Sequence, residues 1–154
     1  MPHTGERAQR VRVMVLIVLF IVGLGLLLTR CPSNRDGMPG QLAQSMDETV
    51  TSARTGAMAL DMWIGHRSTA RLTSVQLSDA REEVVKAYKG IADLRAEDPV
   101  DIGRQKMLTE SMTAIIAQLN AAAATIRHVT SEPTAEKARD DLTASADTLE
   151  SGYR

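Results

Sequence analysis

The sequence predicts an all-α protein: a single transmembrane helix near the N-terminus, followed by an antiparallel bundle of three or four helices. Three observations carry that expectation. Residues 13–28 (VMVLIVLFIVGLGLLL) hold no charge and no strong hydrogen-bonding side chain. Beyond residue 40 the apolar residues recur in steps of three and four, the spacing that places them on one face of a helix. Downstream of residue 40, no alternating run of Val, Ile, Thr and aromatic residues extends beyond a few positions, so no sheet is predicted.

The first element is the membrane segment. A helix rises about 1.5 Å per residue and the hydrocarbon core is about 30 Å thick, so about 20 residues span it. Val11 and Thr29 bring the run to nineteen when Arg12 snorkels its guanidinium back to the headgroups. Residues 11–29 are therefore read as a signal anchor in contact with the lipid bilayer, and residues 1–10 as a short basic cytoplasmic tail. Arg7, Arg10, Arg12 and His3 precede the span, against Arg30 and Arg35 after it, which favours a cytoplasmic N-terminus and an extracytoplasmic bulk. No small-x-small cleavage site follows Leu28, so an uncleaved anchor is preferred to a secretory signal. Cys31 directly follows the span as in a bacterial lipoprotein, but Arg30 stands where such a signal has a small residue. As the only cysteine, Cys31 has two chemistries open to it besides staying a free thiol: lipidation, or a disulfide to another chain.

Residues 30–40 contain two Pro and two Gly and read as a linker. Residues 41–154 number 114, the size of one ordinary domain. Trp63, Tyr88 and Tyr153 are its only aromatics, and a composition of Ala, Leu, Met and charged residues suits helices packed on small aliphatic side chains. Leu42, Met46, Val50, Ala53, Ala57, Leu60 and Ile64 form a first stripe. The stripe then changes phase to Ala70, Thr73, Leu77, Ala80, Val84, Ala87 and Ile91, which means either a turn or a discontinuity between Gly65 and Ser78. Asp79 and Glu82, at capping-box spacing, favour a helix start near Ser78.

Asp98-Pro99 is the clearest punctuation, since aspartate caps a helix and proline fits its first turn. The helix it opens has the most regular stripe: Leu108, Met112, Ile115, Leu119, Ala122, Ile126 and Val129, ended by Ser131-Glu132-Pro133. Thr134 to about Ser151 forms a last helix with Ala135, Ala138, Leu142, Ala146 and Leu149 inward. Short connections make such helices antiparallel neighbours. An intermolecular coiled coil is the alternative, disfavoured by the shortage of Leu along the stripes.

Few residues carry chemistry. His3, His66 and His128 occur in no HExxH or Glu-x-x-His setting, so no metal or cofactor is expected. The pairs Asp47-Glu48, Glu82-Glu83 and Asp140-Asp141 point about 100° apart on a helix and cannot converge on a substrate. No Walker A loop, Rossmann glycine signature or Gly-x-Ser-x-Gly elbow is present, so no catalytic residue and no enzyme is expected. Residues 1–40 carry net +3 and residues 41–154 net −4, which gives the larger part no electrostatic reason to bind nucleic acid. There remain Met58, Met62, Trp63 and His66, a candidate surface for a partner or small ligand, with Trp63 and His66 three apart on one helical face. These features suit an interaction, scaffold or accessory role beside another membrane or envelope protein, or a second copy. The alternative is a sensor-like ligand module with a pocket at Trp63 and His66.

Overall fold

The computed structural model describes residues 37–153. The expected tail, the membrane span at 11–29, Cys31 and all but the end of the linker lie outside them. Among the described residues the chain forms four helices and no strand, and none of these helices is long and apolar enough to cross a membrane. They are α1 (Met38–Ile64), α2 (Ala70–Ala92), α3 (Pro99–Ile126) and α4 (Ala135–Gly152).

α1 starts four residues before the first position of its stripe, inside the expected linker. Gly37, at φ +85°, turns the chain into the helix, and Pro39 sits in the first turn, where its missing N–H was not needed. The buried face is also wider than the stripe predicts, because Ser45, Thr49, Ser52, Gly56 and Ala59 are buried beside Leu42, Val50, Ala53, Ala57 and Leu60. α1 therefore packs against all three other helices. Thr49, fully buried, donates its hydroxyl to the Ser45 carbonyl at 2.7 Å, so its burial leaves no unpaired donor.

The phase change after Ile64 is a true turn, and it lies earlier than the Asp79/Glu82 spacing suggests. Thr69 is the cap of α2, its hydroxyl accepting from the Leu72 N–H at 3.2 Å. Asp79 and Glu82 lie exposed in mid-helix. Burial of Thr73 and Leu77 holds the preceding turns helical, and the fully buried Thr73 hydroxyl pairs with Ser68 at 2.9 Å. Ala70, expected inward, is exposed.

α3 begins as its sequence predicts, with Asp98 Oδ1 accepting from the Val100 N–H at 2.8 Å and Pro99 next. Its stripe is buried from Leu108 to Ile126. Val129 is 71% exposed, because α3 stops at Ile126, before the Ser131-Glu132-Pro133 breaker. His128 adopts φ +58°, and its N–H and that of Val129 return to the carbonyls of Thr125 and Ala124, each at 2.9 Å. That Schellman turn closes the helix with its last carbonyls satisfied. α4 is capped by Thr134 and buries Ala135, Ala138, Leu142, Ala146 and Leu149 as expected.

Neighbouring helices run antiparallel. Arg54 meets Asp147 and Glu150, whereas Asp61, later in α1, meets Arg139, earlier in α4. α1 and α3 lie diagonally and run parallel, touching across the core at Gly56 and Leu119. At the opposite end, Gln105 of α3 donates to the carbonyls of Ile91 (2.6 Å) and Leu94 (2.9 Å), capping the end of α2 with a side chain.

Candidate interaction surface

The four residues singled out from the sequence occupy the end of the bundle where α1 finishes, but they do not form one face. Trp63 is half-buried and packs on the core, and Met62 is half-buried beside it. Met58 is 64% exposed. His66 is not on the helix at all: α1 stops at Ile64 and His66 takes φ +55° in the turn beyond it. Its N–H bonds the Trp63 carbonyl at 3.0 Å and the Arg67 N–H bonds the Met62 carbonyl at 2.8 Å, a second Schellman turn. The shared helical face expected for Trp63 and His66 is thus replaced by a backbone turn, because the left-handed residue redirects the chain. Other methionines of the bundle turn inward. Met112 is fully buried, and Met46 and Met107 pack against the core.

An open groove of about 280 Å³ does adjoin Met58. It runs between α1 and α4, lined by Arg54, Ala57, Met58, Asp61, Arg139 and Thr143. Ion pairs bridge the two helices on either side of it: Arg54 to Asp147 (2.9 Å) and Glu150 (2.6 Å), and Arg139 to Asp61 (3.6 Å). Hydrogen bonds to Asp147 and then Glu150 push the Arg54 pKa further up, and the bond to Asp140 does the same for Arg139. Both guanidiniums stay charged at any ordinary pH and can serve as fixed cations. They cannot act as acids or bases. Arg67 also reaches Asp61, at 3.0 Å.

This site was only partly legible from the sequence. The methionine and the tryptophan stood out, whereas Arg54 and Arg139 lie 85 positions apart and meet on one groove only through the α1–α4 packing. Among the described residues no group of three or more His, Cys, Asp or Glu side chains is placed to hold a metal ion. No family model matches the chain, nor does any curated protein or solved structure.

Proposed function

We propose that the chain is a single-pass membrane protein, anchored through residues 11–29 with its N-terminus cytoplasmic. Its helical bundle works outside the cytoplasm as a non-enzymatic scaffold, accessory subunit or tether. The observation that carries this proposal is the uninterrupted apolar run at residues 13–28, too greasy to be left in water and set directly before a bundle that closes its own core. The partner is another membrane or envelope protein or a second copy of the chain, not nucleic acid. Support for an interaction role comes from the surface around Met58. An exposed methionine beside an open groove with fixed charges offers adaptable apolar contact and polar selectivity together.

Two experiments on the full chain test the proposal. Membranes washed with salt and then alkaline carbonate retain the protein, and protease added from outside the cytoplasm digests the region after residue 30 while the N-terminus survives. Release by the salt wash removes the anchor. Affinity purification from detergent at native expression recovers the chain in a stoichiometric complex, and recovery of the monomer alone removes the interaction role.

A further inference from the structure

Met58 differs from every other methionine among the described residues. It is 64% exposed, whereas Met112 is fully buried, Met38, Met46 and Met107 pack against the core and Met62 is half-buried. A thioether gives up an electron pair to a dissolved oxidant, and burial shields it. The chain therefore presents one accessible methionine sulfur among the described residues and withholds the others.

The place of that sulfur decides what oxidation would do. Met58 stands on the open groove between α1 and α4, and Arg54 lies one turn back on the same side of α1. The bonds from Arg54 to Asp147 and Glu150 both run through Nη2. A guanidinium carries five N–H groups, so Arg54 can donate to a new acceptor at position 58 as well. An oxygen added at Met58 Sδ thus enters water beside a donor, and no core side chain has to give way. The same oxygen at Met112 would be a polar atom buried without a partner, which a packed core does not tolerate.

We infer that Met58 is a site of reversible oxidation to the sulfoxide, carried by the native fold, and that the change switches off the apolar contact the groove offers a partner. The oxidant is a peroxide. A lone pair of Sδ forms the S–O bond, the O–O bond breaks and water leaves, so the sulfur loses two electrons and the peroxide gains them. Return requires a thiol-dependent methionine sulfoxide reductase: two thiols become a disulfide and the oxygen leaves as water. The site rests on the exposure and the groove. Its consequence for binding rests on the interaction role proposed above and not on the membrane anchor.

The test uses the full chain in detergent micelles, with free thiols alkylated beforehand, hydrogen peroxide as the probe and mass spectrometry of the methionine peptides as the readout. Met58 is oxidised at close to the rate of free methionine, the half-buried Met46, Met62 and Met107 lag it several-fold, and Met112 lags it by about tenfold or more. While Met58 alone has reacted the thermal midpoint does not move, and sulfoxide reductase with a dithiol restores the original mass. The yield of the purified complex falls on peroxide treatment and in Met58→Gln, whose amide stands in for the sulfoxide, and holds through peroxide in Met58→Leu. Oxidation of Met58 no faster than that of Met46 or Met107, a midpoint that drops with Met58 oxidation alone, or a complex unaffected by Met58→Gln overturns the inference. If complexes form but the methionines react together, the site is wrong and the interaction role stands. If only monomer is recovered before any peroxide is added, the scaffold role falls, and the order of oxidation and the midpoint still decide the site.

Discussion

Gly56 of α1 lies against Leu119 of α3 so closely that a Cβ at position 56 would stand 2.6 Å from Leu119 Cδ2. Leu142 and Leu77 side chains are the next nearest atoms, at 3.5 and 3.6 Å, so the glycine is the point where the other three helices converge on α1. Real Cβ atoms do not approach so near, and Leu119 is fully buried with little room to turn away.

Gly56→Ala therefore destabilises the bundle despite alanine's better helix propensity. Overpacking costs about 1–3 kcal/mol and propensity returns about 1 kcal/mol, for a net loss of up to about 2 kcal/mol. Leu119→Ala alone costs about 2–5 kcal/mol. In the double variant the new methyl enters the space the leucine vacates, so the loss is smaller than the sum of the two. Urea midpoints of the two single variants and the double variant check this, and additive losses would show that the two helices do not meet there.

The start of α2 separates two readings of the same segment. Thr69→Ala removes the hydroxyl that accepts from the Leu72 N–H and costs about 1 kcal/mol, as does Asp98→Ala at the start of α3. Asp79→Ala, exposed in mid-helix, changes stability by less than about 0.5 kcal/mol. Thermal melts rank the three, and a large effect at Asp79 with none at Thr69 would restore a helix start near Ser78.

Gln105 holds the turn between α2 and α3 through two carbonyls, those of Ile91 and Leu94. Gln105→Ala leaves both carbonyls without that partner and costs about 1–3 kcal/mol. Amide hydrogen exchange then speeds first at the last turn of α2. Uniform exchange across the bundle would contradict a local capping role.

Each left-handed histidine can be relieved singly. His66→Gly and His128→Gly each raise stability by roughly 0.5–1 kcal/mol, the turn's gain less the extra freedom glycine gives the unfolded chain. His66→Val lowers it, since a β-branched residue fits that conformation worst. Calorimetry on the three variants reads the order directly, and a loss on both glycine substitutions would mean that the imidazoles make stabilising contacts of their own.

What the amino-acid order determined by itself is the periodicity. The steps of three and four from Leu108 to Ile126 and from Ala135 to Leu149 name the buried face residue for residue, and Asp98-Pro99 carries its own start signal. Those features are local, set by 3.6 residues per turn and by a side chain that caps its own backbone. Tertiary structure decided where the chain turns and how near its helices come. α1 reaches back to Met38 through a Pro and a Gly that looked like linker, and Thr69 rather than the Asp79 spacing opens α2. His66 lies in the turn beyond the helix that holds Trp63, and Gly56 is the point on α1 where side chains of the other three helices crowd in. Each of these depends on groups distant in the chain, because burial against another helix can hold a weak segment helical or select which of several possible stops is used. No periodicity in a single stretch contains that information.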